Sequence, residues 1–408
     1  MNNKNIFLLL GGNKLNYGIL DKFKKMGYLV YVIDWNEHPQ ICGDKHYRLD
    51  VKDADAIIDA LKNDGYWKNI AFAYSSIDLA VASVAKINKE LGLKSIDNKG
   101  LQYSSSKSMM TSKWQEVGLL NRISQKYDKF DISIIDFNNR YKIIIKPDNS
   151  ASSRGITILE KNSSELNIKQ AFDKAILEAS NKIVVVEEFV EGTEFTVEMI
   201  GDAYGNVCVY GISHKTHTKN TINNKIAVKL HYNSVSNDLQ YKIADVAIKC
   251  YKALGFSSSL GHLEILLKED GTLSPVEIGA RSSGFIASDL VDVVSGSNFL
   301  EDLIKVQNGM PVNNGLHPQT DKSSIYFFYD FPANSSIKKQ VNILDFVESS
   351  ITSRHYNRSN LFIGKRFDNI DNDNARVGFE ILEGPRSILT IDYIKRQEQF
   401  MLSEMLEI

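Results

Sequence analysis

The chain has 408 residues, and its 48 Lys and Arg nearly balance its 50 Asp and Glu, for a net charge of −2. This length suits two or three domains, and the charge balance offers no basic footprint for nucleic acid or an anionic membrane. Cys42, Cys208 and Cys250 are far apart and form no Cys-x-x-Cys pair, so they suggest neither a disulfide framework nor a zinc site and indicate a reducing compartment. The apolar run Ile6–Leu10 is too short to span a membrane, and no secretory signal is present, so we expect a soluble cytoplasmic protein with small-molecule chemistry.

The first hundred residues alternate buried-strand runs with helical segments, which predicts a doubly wound parallel sheet. The predicted strands and helices are Ile6–Leu10, Tyr17–Met26, Tyr28–Ile33, Ala54–Leu61, Ile70–Tyr74 and Leu79–Leu91. The turn Gly11–Gly18 and the acid Asp34 imitate a dinucleotide site. Because these glycines are not in G-x-G-x-x-G register, we interpret the segment as a structural tight turn.

The pattern changes near Leu101 and predicts a short α+β unit followed by more strands. Its predicted elements are a helix at Ser106–Val117, a strand at Lys142–Lys146, a loop at Asp148–Gly155, a strand at Gly155–Leu159, a helix at Ile168–Ser180 and a strand at Ile183–Glu187. Next are strands Glu194–Ile200 and Val207–Ser213, a polar loop His214–Lys225, a helix Leu239–Leu254, and a hairpin of Gly261–Lys268 and Thr272–Ile278 about an Asp-Gly turn.

The last part of the chain predicts two more strands and a closing amphipathic helix. The strand-like runs are Ser324–Tyr329 and Arg376–Leu382, and the helix covers Ile391–Leu406. We expect Ile391, Ile394, Phe400, Met401 and Leu402 to pack inward.

The first chemically informative segment is the apolar strand that ends in Lys146 and leads into a small-residue loop. The Lys146 ammonium can meet phosphate oxygens while backbone N–H groups of the loop, including those of Ser152, Ser153 and Gly155, close over them. The alternative is an ordinary hairpin turn with a solvated lysine.

The second segment runs from Val184 to Val197 and is rich in glutamate. After an apolar strand, Glu187 can accept from an adenine amino group, backbone groups at Phe189 and Val190 can pair with the ring edge, and Glu194 can accept from ribose hydroxyls. A solvated acidic turn is the alternative.

The third segment is the hairpin, in which Glu264 and Glu277 can point to one face. Two neighbouring carboxylates repel unless a cation lies between them, and hard oxygen ligands suit magnesium. Arg281, four residues beyond Glu277, can then steady a transferring phosphoryl group or a substrate carboxylate. The alternative is a surface hairpin with a Glu277–Arg281 ion pair.

In this order and spacing, the three segments resemble the ATP-grasp superfamily over about residues 101–311. The resemblance implies α/β and α+β architecture: an N-terminal doubly wound parallel-sheet domain at 1–100, an ATP-grasp domain at 101–315, and a small C-terminal β-rich α+β domain at 316–408. Within the ATP-grasp domain it implies a lid subdomain at about 110–190 and a catalytic subdomain at about 191–315. The layout is similar to that of biotin-carboxylase-like members.

The resemblance also implies a role for each matching residue. Lys107 and Lys146 correspond to the nucleotide-binding lysines, Glu187, Phe189 and Val190 to the adenine hinge, Glu194 to the ribose acceptor, Glu264 and Glu277 to the magnesium carboxylates, and Arg281 to the active-site arginine. The implied cofactors are ATP and Mg²⁺, with Mn²⁺ as an alternative.

One departure from the family pattern concerns the position two residues after Glu277. The family often has Glu-x-Asn-x-Arg, whereas this chain has Gly279 there. A metal contact is therefore lost or moved. The Glu-Ile-Gly-Ala-Arg form is similar to that of bacterial L-amino-acid ligases, which make dipeptides.

The implied reaction is an ADP-forming ligation in which a carboxylate becomes an acyl phosphate and an amine then replaces the phosphate. We expect amino acids on both sides, no nucleic acid or membrane partner, and a homodimer. His214, Lys215 and His217 are candidates for substrate recognition in their loop, and His262 is interpreted as a satisfied core residue. A small-molecule kinase, a bicarbonate-using carboxylase and a non-catalytic nucleotide-binding homologue remain as alternatives.

Overall fold

The computed structural model of the protein describes residues 4–13, 16–150, 154–221, 225–283, 287–370 and 375–407. The predicted phosphate-loop residues Ser152 and Ser153 lie outside this range, as does part of the Gly11–Gly18 turn. None of the helices in these segments is both long enough and apolar enough to cross a membrane.

The N-terminal region confirms the predicted parallel sheet, whose strand order is β3-β2-β1-β4 with every pair parallel. Its elements are β1 (Ile6–Leu10), α1 (Tyr17–Lys25), β2 (Leu29–Asp34), β3 (Lys45–Arg48), α2 (Ala54–Asn63), β4 (Ile70–Tyr74) and α3 (Val81–Glu90). Apolar residues of α1 cover one face of the sheet, and those of α2 and α3 cover the other. Successive strand residues point to opposite faces, so strands buried on both sides are apolar throughout.

Asp34, the last residue of β2, has a structural role in the turn after β1, as the register of the glycines indicated. The Asp34 carboxylate accepts hydrogen bonds from the backbone N–H of Gly12 at 2.7 Å and of Asn36 at 2.8 Å. Gly11 has a φ of 107°, a conformation that glycine adopts readily. The Asp34 carboxylate therefore stabilises the loop instead of offering a site for a ribose.

The next region forms a small antiparallel sheet with two covering helices, which we call the lid. Its elements, after α4 (Asn98–Ser105) and α5 (Lys107–Glu116), are β5 (Ser124–Tyr127), α6 (Ser133–Arg140), β6 (Ile143–Pro147), β7 (Thr157–Leu159), α7 (Glu165–Glu178) and β8 (Val184–Glu188). The strand order is β5-β8-β6-β7. Ile143 and Ile145 pack with α6 and α7, so the alternating residues Ile144 and Lys146 belong to the opposite face of the lid.

A larger antiparallel sheet faces the lid. Its strands and the neighbouring helices are β9 (Thr193–Gly201), β10 (Val207–His217), β11 (Ala227–Tyr232), α8 (Asn237–Ala253), β12 (Ser259–Leu267), β13 (Leu273–Gly279), α9 (Ala287–Ser295) and α10 (Phe299–Gln307). The predicted Asp-Gly hairpin joins β12 to β13, with Gly271 at a φ of 78° and its N–H bonded to the Lys268 carbonyl.

The C-terminal region continues the larger sheet. Its elements are β14 (Gly315–Leu316), β15 (Lys322–Phe328), β16 (Ser336–Ile337), β17 (Thr352–Asn357), β18 (Phe379–Pro385), α11 (Ile391–Met405) and β19 (Leu406–Glu407). The main path through the sheet is β13-β12-β9-β10-β11-β15-β18-β17. The division of the chain at residues 100 and 315 remains a prediction, and the sheet crosses the second boundary.

Two local predictions are wrong. The segment His214–His217 is not part of a loop, because β10 continues through it and pairs with both β9 and β11. Phe400 does not pack inward: it is 60% exposed, whereas Ile394 and Met401 on the same helix are buried. The apolar stripe of α11 is thus narrower than the sequence pattern suggested.

Candidate active site

Two lysines of the predicted nucleotide site face the cleft between the lid and the larger sheet. Lys107 opens α5, whose N-cap Ser106 accepts a hydrogen bond from the N–H of Met109. The Lys107 ammonium donates to the Ser150 carbonyl at 2.9 Å and lies 3.0 Å from the Glu277 carboxylate. The Lys146 ammonium lies 2.7 Å from the carboxylate of Glu187. Both lysines are therefore paired with carboxylates.

The loop after Lys146 requires glycine at position 155. Gly155 has a φ of 73°, and a β-carbon there would come within 3.0 Å of the Glu178 side chain and 3.3 Å of Pro147. Gly155 can therefore contact a phosphate only through its backbone.

Glu187 is enclosed among polar partners. Its Oε2 lies 2.7 Å from Lys146 and 3.1 Å from Arg122, and its Oε1 accepts from the hydroxyls of Ser124 and Thr111. Burial alone would raise the pKa of Glu187, but Arg122 and Lys146 outweigh it and lower that pKa to about 2. Burial likewise lowers the pKa of Lys146. Both oxygens of Glu187 are occupied, so its role as adenine acceptor remains a prediction.

The two predicted metal carboxylates are direct neighbours. Glu264 on β12 is in register with Glu277 on β13, and the register shifts immediately afterwards, so that Val276 is an extra residue opposite Ile265. Burial and the nearby carboxylates raise the pKa of Glu264 against the opposing effect of Lys215. Burial would raise the pKa of Glu277 too, but Lys107 and Lys146 lower it to about 2.

A third carboxylate shares a lysine with this pair. Lys215 lies 2.6 Å from Glu194 and 2.7 Å from Glu264. His217 lies 3.1 Å from the other oxygen of Glu194. Although burial opposes both changes, Lys215 holds the pKa of Glu194 well below its usual range, and the two carboxylates hold the pKa of Lys215 above its own. Lys215 and His217 thus belong to the cleft, whereas His214 packs edge-on against Phe195 on the other face of the sheet.

Arg281 pairs with the N-terminal region rather than with Glu277. Its guanidinium donates to both carboxylate oxygens of Asp78, at 2.6 and 2.7 Å. A β-carbon at Gly279 would lie 3.3 Å from Arg281 Cγ and 3.3 Å from an Asp78 oxygen. The glycine that replaces the expected asparagine therefore leaves room for this bidentate pair.

The hinge residues adjoin an open cavity of about 590 Å³. The Phe189 N–H donates to the Lys142 carbonyl, and its ring lies 5.0 Å from the Lys142 ammonium and 4.9 Å from that of Lys225. Gly192 and Ile158 also line the cavity, and Val190, the other predicted hinge residue beside Phe189, is half-buried. None of the paired lysines and carboxylates described above lines this cavity.

Sequence reasoning missed several residues of the cleft. Arg122 and Asp78 stand in segments with no motif, and they join the site only through tertiary contacts. His262 is buried, as interpreted, but its Nδ1 lies 2.6 Å from the wholly buried Glu198, which also accepts from the Tyr232 hydroxyl. Alternation along β9 and β12 was the available signal for Glu198, since it places this residue on the face of Glu194.

The two sheets that close on paired lysines and carboxylates define an ATP-grasp fold. Residues 139–289 match the ATP-grasp domain family, so the chain contains an ATP-grasp domain.

Two individual proteins are similar to this chain in sequence. The chain is similar to a D-alanine–D-alanine ligase of Buchnera aphidicola, at 26% identity over 48% of this chain and 62% of that protein. A second such ligase, from Halalkalibacterium halodurans, is 29% identical over 18% of this chain and 22% of its own length. The chain therefore spans less than two thirds of either relative.

Solved structures agree in fold along nearly the whole chain. The L-amino acid ligase of Bacillus licheniformis has a TM-score of 0.72 at 17% identity, with 98% of each chain covered. The biotin carboxylase domain of the Hydrogenobacter thermophilus 2-oxoglutarate carboxylase has a TM-score of 0.70 at 16% identity, covering 99% of this chain and 90% of that one. At these identities the likeness concerns the fold.

The donor set suits a hard divalent cation that is shared with a ligand. Within the described segments, no group of three or more His, Cys, Asp or Glu is arranged to hold a metal ion. Glu264 and Glu277 supply carboxylate oxygens on adjacent strands, which leaves further coordination positions for phosphate and water, as magnesium prefers.

Proposed function

We propose that this protein is an ATP-dependent carboxylate–amine ligase that forms ADP by way of an acyl phosphate. The single observation that carries this proposal is the set of lysine–glutamate ion pairs in the cleft of an ATP-grasp domain. Lys107 with Glu277, and Lys215 with Glu194 and Glu264, satisfy each other there. Magnesium with a nucleotide can replace such pairs, because phosphates take the lysines and the cation takes the carboxylates.

The proposed mechanism uses positioning and charge. Lys107, Lys146 and Arg281 stabilise negative charge on the phosphoryl group as a substrate carboxylate oxygen attacks it. Glu264 and Glu277 would hold Mg²⁺, which neutralises the phosphate oxygens when bound. The first attack breaks the bond between the γ-phosphorus and ADP, and ADP is the leaving group. The amine nitrogen then attacks the acyl carbon, the C–O bond to phosphate breaks, and the nitrogen releases a proton to solvent.

Amino acids are the proposed substrates on both sides. The support is the activity of similar proteins, two D-alanine–D-alanine ligases and an L-amino acid ligase. We further propose the sites as the resemblance assigned them, Mn²⁺ as a substitute metal, a homodimer and a cytoplasmic location. Light scattering of the purified protein tests the dimer.

The first experiment is ADP release from magnesium-ATP with amino acids offered singly and in pairs, and with bicarbonate in a separate arm. Mass spectrometry identifies the product. The Glu277→Ala variant removes a proposed metal ligand, and Glu269→Ala in the exposed turn of the same hairpin is its matched control. We expect pair-dependent ADP and a dipeptide mass from the wild type and the control, and neither from Glu277→Ala.

Other outcomes separate the alternatives. ADP that needs one acceptor only, and gives a phosphorylated product, would identify a kinase. Bicarbonate-dependent ADP would identify a carboxylase. Nucleotide binding without ADP in any arm would contradict the ligase proposal.

A further inference from the structure

Arg122 joins the lid to the larger sheet across the proposed nucleotide cleft. Its side chain is 4% exposed, and it lies 3.1 Å from the Glu187 carboxylate of the lid. On the other side its guanidinium donates to the carbonyls of Pro275 at 2.7 Å and Val276 at 3.4 Å, both on β13. These two hydrogen bonds hold the Arg122 guanidinium beside the Glu187 carboxylate.

The carbonyls that accept hydrogen bonds from Arg122 lie on an edge strand, at a β-bulge. β13 lies at the end of the strand order, and Val276 is the extra residue of the bulge that precedes Glu277. Edge and bulge carbonyls lack ladder partners, and a guanidinium with several donors in fixed geometry satisfies them. Arg122 therefore cannot move away from Glu187 without leaving the buried Pro275 carbonyl and the partly buried Val276 carbonyl without this donor.

Glu187 has two cations on one oxygen, Lys146 and Arg122. Lys146 is one of the lysines expected to bind phosphate, so its charge is needed elsewhere when a nucleotide is present. Without Arg122, a shift of Lys146 would leave Glu187 as a buried carboxylate with only the hydroxyls of Ser124 and Thr111. A buried charge without a counter-ion is costly.

We propose that Arg122 is a positioning residue for nucleotide binding: it neutralises Glu187, so that Lys146 is available to a phosphate of the nucleotide. The inference rests on the proposed nucleotide site and not on which substrates are ligated. Arg122 itself touches no ligand in this account. Its fixed bonds to β13 distinguish it from Lys146, which has one carboxylate partner and a flexible stem.

The test is the affinity for a non-hydrolysable ATP analogue with magnesium, measured by calorimetry on the full chain. Arg122→Gln should weaken binding by about 10- to 100-fold, since a charge-assisted contact of Lys146 with phosphate is lost to Glu187. Arg122→Lys keeps the charge and should bind within a few-fold of wild type. Arg140→Gln changes an exposed lid arginine that donates to the Asp136 carbonyl of its own helix, and it is the matched control.

A second substitution separates this role from a purely structural one. The double variant Arg122→Gln/Glu187→Gln removes the competing charge, while the glutamine at 187 keeps a carbonyl oxygen for the proposed adenine contact, so it should recover most of the lost affinity. If the double variant binds as weakly as Arg122→Gln, the carbonyl contacts matter rather than the charge, and the inference is wrong. Normal binding by a folded Arg122→Gln variant also overturns it.

The two proposals fail in different ways. If the wild type forms dipeptides while Arg122→Gln binds the analogue normally, the ligase proposal stands and the inference falls. If the predicted affinities are found but no substrate pair is ligated, the inference stands and the ligase proposal falls. Circular dichroism of each variant establishes that the affinities refer to folded protein.

Discussion

Lys215→Met is the perturbation whose consequences follow most directly from the structure. The Lys215 ammonium is within 2.7 Å of two carboxylates, Glu194 and Glu264, and its side chain is 13% exposed. Removing one partner of a buried ion pair while leaving the other typically costs about 3–5 kcal/mol. Two carboxylates are left here, so we expect a loss in that range at pH 8.

The pH dependence of this loss has a definite sign. In the wild type the pKa of Glu194 is depressed, so its stabilisation is present above the unfolded pKa of about 4.3 and is lost as pH falls below it. In the variant, burial and mutual repulsion raise the pKa of Glu194 and Glu264, so ionisation of both destabilises the fold at high pH. The stability gap between wild type and Lys215→Met should therefore narrow as pH falls from 8 towards 4.

Urea unfolding followed by fluorescence at several pH values measures the gap. Lys249→Met is the control, because Lys249 forms an exposed pair with Asp245. Such a pair contributes about 0.2–1 kcal/mol. A Lys215→Met variant that loses no more stability than Lys249→Met at pH 8, or a gap that widens as pH falls, would refute the reasoning.

Three further predictions concern other contacts. Asp78→Asn breaks the bidentate pair with Arg281, so we expect a higher KM for the amino-acid substrates with a melting temperature within a few degrees of wild type; unchanged KM would contradict a role for this pair in the site. Gly279→Asn should lower kcat and leave ATP-analogue affinity unchanged, because the asparagine side chain would displace Arg281. Steady-state kinetics measures kcat, and calorimetry measures the affinity. Glu398→Gln removes the carboxylate partner of the buried Lys229, on the sheet face opposite Lys215, and leaves its ammonium over the Phe327 ring. Chemical unfolding should therefore show a loss of about 3 kcal/mol, with kcat unchanged at low temperature.

Sequence patterns predicted the elements that are regular in themselves. The strands Ile6–Leu10 and Ile70–Tyr74 have the predicted bounds, because continuous apolar runs are buried on both faces of a parallel sheet. The hairpin was predictable from its Asp-Gly turn, and Glu264 and Glu277 share a face as expected, but their direct pairing depends on the bulge at Val276, which the sequence did not indicate. Local chemistry thus determines most of what the three motifs contribute.

Other features depend on contacts between distant segments. The polar composition of His214–His217 indicates a loop, yet the ladder partners on β9 and β11 make it a strand. Arg122 meets Glu187 and β13 only after the lid packs on the larger sheet, and a lone arginine carries no periodic signal. The pairing of Arg281 with Asp78 likewise spans 203 residues of sequence.

The continuity of the larger sheet decides how this protein can be cut for study. β11 pairs with β15 through four residue pairs, and β15 pairs with β18 through seven. A fragment that ends at residue 315 would leave the outer edge of β11 with unpaired N–H and C=O groups, which recruit other strands and promote aggregation. Expression of the ATP-grasp portion alone is therefore expected to give insoluble or self-associated material, and a working truncation must retain β15 and the strands beyond it.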